Sequence, residues 1–410
     1  MHEAKNSPGA ERVAGPKQAL AILLGSSLSI MGAVMVAPVL PKMASELVNS
    51  PETAMLLPLV ATGPALAIAL FAPLAGWLSD RIGRKTLLML ATLIYVIAGV
   101  APALLHSLNE ILGSRLIFGL AEAAIMTCCT TLIGDYWKGA QQQRYINLQV
   151  VAISLVGSLF FVLGGAAGEL SWRAPFYLYL LPLLLLPLMA MTLWEPTRQP
   201  AQHQADTQVE MASATAPGVA APVLSAGLLA LIGMIGSFIV PVQTPGLLVH
   251  IGVTSTTLIG ASAGTGLLAT LAGSMLWPLA YRQLGRRLTN SLLLILLAVG
   301  LLSLATAHSY AQVLVAVSIH GIGGGLLVPN ALAGLLPKLS ARARARGVGV
   351  FTACLYLGQF ASPLLIGALA GPGQQIPAAI NMFAYVLIGT AVAWAMLAAS
   401  RREQATPAQA

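Results

Sequence analysis

The chain has 410 residues, of which 57% are hydrophobic and 8% charged, with a mean hydropathy of +0.83. A water-soluble domain is about half apolar and about a quarter charged, so this composition excludes a soluble fold. The net charge of +8 does not point to nucleic acid, because no basic patch is interleaved with aromatic residues. Cys128, Cys129 and Cys354 are odd in number and lie in apolar runs, so they read as core residues rather than a disulfide framework. The six histidines show no ligand spacing, and neither a metal nor a cofactor is expected.

Residues 1–17 are polar and form an N-terminal tail. The first apolar run covers 18–42. It is longer than the apolar stretch of a signal peptide, about 7–15 residues, and reads as a retained spanning helix. About 20 apolar residues cross a bilayer core. By that measure further runs lie near 55–77, 86–105, 110–133, 146–168 and 174–194. Residues 195–221 carry Glu195, Pro196, Arg198, Pro200, Asp206, Glu210 and Pro217 without apolar periodicity, and read as a linker. Six more runs follow near 222–245, 255–280, 288–307, 310–336, 347–370 and 376–399, before a tail at 400–410. The expected fold is an all-α membrane protein of twelve transmembrane helices. These form two pseudo-symmetric six-helix bundles, 18–194 and 222–399.

Charge gives the orientation. With the N-terminus in the cytoplasm, the loops on that side hold every Lys and Arg of the 21 except Lys42, Arg115 and Arg173. The positive-inside rule therefore places both termini in the cytoplasm, and the plasma (inner) membrane is the expected location. The halves also resemble each other. A shift of 202 residues carries Gly83, Arg84 and Lys85 onto Gly285, Arg286 and Arg287. It also carries His106-Ser107 onto His308-Ser309, Gly119 onto Gly321 and Arg144 onto Arg346. A repeat of six helices suits a transporter with its site between the halves, near the midplane.

Residues Gly76 to Lys85 read Gly-Trp-Leu-Ser-Asp-Arg-Ile-Gly-Arg-Lys and are expected to make a tight polar turn between two membrane helices. Gly76 and Gly83 would supply the positive φ angles of such a turn. By itself the stretch reads as a topological anchor. Gly76, Asp80, Arg81, Gly83, Arg84 and Lys85 together, however, closely resemble the loop signature of the major facilitator superfamily. That resemblance implies a transporter of twelve helices in two halves. It further implies a cytoplasmic lock, whose residues here are Asp80, Arg84, Asp135 and Arg144. In the second half Arg282 stands where Asp80 maps and Pro337 where Asp135 maps, so the gate is expected to be asymmetric.

Arg115 and Glu122 lie inside the fourth run. Charges at such depth face a cavity or a partner. Seven positions apart, they share one helix face with Gly119 between them, about 10 Å apart along the axis. They read either as a structural ion pair or as a proton and substrate site. Arg115, Gly119, Ala121, Ala123 and Ala124 resemble the fourth-helix motif of proton-coupled members, in which the Arg assists proton transfer; Phe118 stands where a Gln is common. The fifth run holds Gly157, Gly164, Gly165 and Gly168, with Phe160 and Phe161 where the drug-antiporter branch has Gly-Pro. Residues 171–176, Ser-Trp-Arg-Ala-Pro-Phe, resemble the start of the sixth helix in drug-efflux members. His320 reads either as a proton partner of Glu122 across the interface or as a histidine bonded to a carbonyl. Gln149, Gln243, Asn330, Tyr356 and Gln359 are further polar groups in apolar runs and candidate cavity residues.

The function expected from all this is secondary active transport by alternating access, with protons and a small organic molecule as partners in a lipid bilayer and the monomer as the working unit. Efflux of drugs or of secreted metabolites such as siderophores is the first reading. Proton-linked uptake of an organic anion, with Arg115 as counter-ion, is the second. A membrane sensor or receptor on the same fold is a reading of another class. No nucleophile–base pair suggests an enzyme.

Overall fold

The computed structural model describes residues 13–196, 220–371 and 375–403, all helical or connecting among those described. Most of the expected tails, 1–12 and 404–410, and most of the 195–221 linker lie outside these residues; 16–17 and 400–403 belong to helices. Helix α1 (Pro16–Val36) starts with a proline in its first turn, where the missing N–H costs nothing. It continues through a 3₁₀ turn into α2 (Leu40–Leu47), and α3 (Pro51–Leu56) follows. Next come α4 (Leu59–Ile82), α5 (Arg84–Val100), α6 (Leu108–Tyr136) and α7 (Gly139–Leu170). The sixth crossing begins as a 3₁₀ helix, Ala174–Leu184, and ends as α8 (Leu185–Thr192). This differs from the α-helix expected for 174–194. Pro175 and Pro182 remove backbone donors, and the looser 3₁₀ rise lets these 19 residues reach about 34 Å.

The second half holds α9 (Ala220–His250), α10 (Thr256–Ala305), α11 (Tyr310–Leu335), α12 (Ala341–Ala370) and α13 (Ile376–Glu403). Eleven helices are long and apolar enough to cross a membrane among the described residues. One of them, α10, has 50 residues and would be about 75 Å long if straight. It is broken at Gly285, where φ is 70° and ψ 171°. Across the break the Thr289 hydroxyl reaches the carbonyls of Gly285 (2.8 Å) and Ala280 (3.5 Å). Nine residues along one continuous helix would be about 13 Å apart, so the chain reverses here. The two legs of α10 bring the crossings to twelve.

The repeat persists in atomic contacts. Gly83, at φ 95°, breaks α4 from α5 as Gly285 breaks α10. Gly76 sits inside α4, without positive φ, so the turn narrows to Gly83 alone. Ser107 caps α6 by accepting from the Glu110 N–H; Ser309, 202 residues on, caps α11 by accepting from the Gln312 N–H. A Cβ at Gly119 would lie 2.8 Å from the Cβ of Ala67, and one at Gly321 would lie 2.8 Å from that of Ala269. The same shift relates all four residues. Arg115 and Glu122 break the symmetry, since Val317 and Gly324 occupy their places.

Each half has its own core. The first is rich in aromatics, including Tyr95, Phe118, Trp172, Phe176 and Tyr179. The second is mainly aliphatic, built on Leu293, Leu297, Val317, Leu327 and Ile380. Gln18 donates to the Thr192 carbonyl and Arg287 to that of Leu397; with an even number of crossings between them, the start of α1 and the ends of α8 and α13 lie on one face. We call it the termini face, and the opposite one the far face.

Near the far face the halves meet through α7 and the first leg of α10. A side chain at Gly165 would strike the Thr256 carbonyl, and one at Gly260 the Phe161 carbonyl. Ser158 donates to the Gly264 carbonyl at 3.0 Å and Thr256 to that of Gly165 at 2.7 Å. The α7 stripe that makes this contact (154, 158, 161, 165, 168) continues toward the termini face through 151, 147, 144 and 140. There it is uncovered. Ala140, Gln143, Arg144, Asn147, Leu148 and Val151 line an open groove of about 440 Å³. The halves are thus closely packed near the far face, while this face of α7 lies open toward the termini face.

Candidate functional site: a buried Arg–Glu cluster and a charged turn

Arg115 is fully buried and Glu122 is 4% exposed. Three helices converge on the guanidinium. Nε donates to the Val60 carbonyl of α4 at 3.1 Å, and Nη2 to the Gly32 carbonyl of α1 at 2.7 Å. The group lies over the Phe118 ring, 4.1 Å from its centroid, and 5.6 Å from that of Tyr179. This gives Phe118 a role that a Gln could not fill, since its ring also packs on Tyr95 and Tyr179. The Tyr95 hydroxyl donates to the Leu28 carbonyl at 2.7 Å, and that of Tyr179 to Met31 at 2.8 Å. Adjacent turns of α1 are therefore pinned by side chains from three other elements.

Glu122 reaches the same part of α1. A Cβ at Gly32 would lie 2.9 Å from the Glu122 Oε2 and 3.5 Å from the Arg115 Nη2. A side chain there would have to displace the Glu122 carboxylate. Arg115 and Glu122 nonetheless form no ion pair within 4.0 Å, and the Arg115 Nη1 is buried without a hydrogen-bond partner. The pair sits close enough to interact through space while keeping one guanidinium donor in reserve. Tyr356 of α12 bonds through its hydroxyl to the Met126 Sδ at 3.1 Å. Met126 lies one helical turn beyond Glu122, so the second half touches α6 close to its buried acid.

The other polar residues divide. Gln149 donates to the Ser26 hydroxyl at 2.8 Å, tying α7 to α1. Asn330 is fully buried at the Gly285 turn. It accepts from the Trp277 indole and donates to Asn290 and the Arg286 carbonyl, which makes it a strut at the turn rather than a neighbour of Glu122. Gln243 and Gln359 are half-buried. The His320 ring bonds to the Gly236 carbonyl at 3.1 Å within the second half, where it takes the repeat position of Phe118. The carbonyl-bonded reading therefore describes it, and the structure does not bring it to Glu122.

At the charged turn, Arg84 pairs with Asp135 and, at 3.6 Å, with Asp80. Arg81 lies over the Trp77 ring. Arg144, expected in this network, is exposed and lines the open groove instead. Glu195 is the member that the sequence reading missed. Its carboxylate accepts from the N–H groups of Arg84 (2.6 Å) and Lys85 (3.0 Å), capping α5. Lys85 in turn donates to the carbonyls of Ala190 and Leu193. An acid directly after the sixth run, on the same face as three bases, was the available signal.

Two repeated bundles, packed on each other at one face and holding a buried acid, have the architecture of a membrane transporter. The chain belongs to the Major Facilitator Superfamily, whose family model matches residues 22–225 and 225–410. It is similar to the multidrug efflux protein YfmO of Bacillus subtilis, 30% identical over a stretch covering 40% of each chain. It is 26% identical to the 3-(3-hydroxy-phenyl)propionate transporter of Escherichia coli over 73% of each chain. It is also 26% identical to the quinolone resistance protein NorA of Staphylococcus aureus, over 39% of this chain. The chain thus spans about two-fifths of the length of the two drug-related proteins. In structure it resembles a bacterial homologue of the human lysosomal transporter Spinster, in an inward-facing, unoccupied conformation. The TM-score is 0.73 at 17% identity, over 96% of this chain and all of that one. It also resembles the peptide transporter POT, with TM-score 0.74 at 12% identity, over 94% and 95%.

Proposed function

We propose that this protein exports amphipathic organic molecules in exchange for protons, working as a monomer in the inner membrane with both termini in the cytoplasm. The carrying observation is Glu122, a buried carboxyl at the junction of α1, α6 and the second half. A carboxyl there can hold a proton, and the apolar surroundings suit a cargo that is itself largely apolar. Alternating access then follows from the packing. The α7–α10 contact shuts the far face while the groove beside Arg144 opens to the cytoplasm, and the opposite state exchanges these roles. The linker near 195–221 joins bundles that rock against each other.

Similarity to drug-efflux proteins supports export. The wider match to the Escherichia coli transporter of an aromatic acid favours uptake of an organic anion as the second reading. In that reading Arg115 offers an anion only its Nη1, because two carbonyls and the Phe118 ring hold the rest of its guanidinium. Direction separates the two. Cells lacking the gene should retain more of a fluorescent lipophilic dye than wild-type cells. Equal retention, with slower entry of an aromatic acid in the mutant, would favour uptake.

A further inference from the structure

We infer that Glu169 is the releasable latch of the far-face gate. It sits at the end of α7 in the first half, and its Oε1 bonds into the second. That oxygen accepts from the Ser255 hydroxyl at 2.6 Å and from the Thr257 N–H at 3.0 Å. Ser255 is the N-cap of α10 and accepts from the Leu258 N–H. A carboxylate from one bundle thus caps the first turn of a helix in the other. Both hydrogen bonds are charge-assisted, and the helix N-terminus favours the negative charge.

Lys42 aims the latch from its own half. Its Nζ donates to the Gly168 carbonyl at 2.8 Å and lies 3.7 Å from the Glu169 Oε2. The rest of the far-face contact is glycine packed on carbonyl oxygens, with hydroxyl bonds from Ser158 and Thr256. Among the described residues there, Glu169 is the ionised group bonded across the halves. Neutral close packing gives the contact its fit. A single carboxylate, 40% exposed at the rim, gives it a bond that water can replace. In the opposite state Glu169 would be solvated and the α10 N-terminus would keep only its own Ser255 cap. The latch therefore biases the equilibrium toward the state open to the cytoplasm, because it is made in that state alone. This inference rests on alternating access but on neither the cargo nor the coupling ion.

The test uses the full chain in proteoliposomes and two cysteine reporters. Ala263→Cys lies in the α1–α7–α10 cluster near the far face, and Asn147→Cys in the open groove. A membrane-impermeant maleimide is applied from each side, with the chain lacking either reporter as the blank. Glu169→Ala is expected to speed far-face labelling of the Ala263→Cys reporter about tenfold and to slow termini-face labelling of the Asn147→Cys reporter. Glu169→Gln, which keeps an acceptor but loses the charge, should fall between. Ser255→Ala should act in the same direction but more weakly, and add little to Glu169→Ala, since the cross-half bond it removes is one of the two already lost there. Reciprocal changes at the two reporters support the latch. Unchanged labelling overturns it, as does faster labelling at both reporters, which would mean general loosening. If Glu169→Ala does not fold, Glu169→Gln and Ser255→Ala carry the same comparison.

Discussion

Arg115→Met is expected to destabilise the first bundle severely. The substitution keeps much of the side-chain volume but removes the donors held by the Val60 and Gly32 carbonyls. It also removes the positive charge near the buried Glu122. Leaving each of those buried carbonyls without its donor costs about 1–3 kcal/mol, and Glu122 loses the compensating charge beside it. That reasoning makes a sharper demand than simple instability. Glu122→Gln added to Arg115→Met should recover a large part of the loss, because it removes the stranded carboxylate. Thermal unfolding in detergent, run as a double-mutant cycle, measures this coupling. Additive effects would mean that the two groups do not sense each other.

Gly260→Val is expected to abolish transport while leaving each bundle folded. A side chain at Gly260 would collide with the Phe161 carbonyl, a backbone atom that cannot swing aside. Closing the far face brings these atoms together, so the bulky variant should be held away from that state. Gly113→Val is the comparison, since nothing lies within 4 Å of a Cβ there. Near-normal transport in Gly113→Val and background transport in Gly260→Val are the expected pair of results. Vesicle uptake of a radiolabelled substrate, normalised to inserted protein, reads both.

The crossings were legible because hydrocarbon imposes a blunt rule: about 20 apolar residues or no span. The repeat was legible because Gly119 and Gly321 must be small wherever the helices touch. Asp80, Arg84 and Asp135 were found through their motif, and the structure joins them. What escaped was set by three-dimensional convergence. Glu195 follows Arg84 by 111 residues and meets it only after four further crossings. Tyr95 and Tyr179 look like ordinary aromatics until their hydroxyls are seen on α1 carbonyls. His320 was marked for its polarity, yet a carbonyl in its own bundle claims it. Arg144 was assigned to the charged turn through the family resemblance, although its helix turns it into the groove.

The central claim is that the buried carboxyl of Glu122 couples proton movement to cargo. Purified protein in vesicles, given an imposed pH gradient and a lipophilic dye, tests it most directly. Wild type should concentrate the dye against its own gradient, and Glu122→Gln should only equilibrate it. Gradient-driven accumulation by Glu122→Gln at the wild-type level would contradict the account.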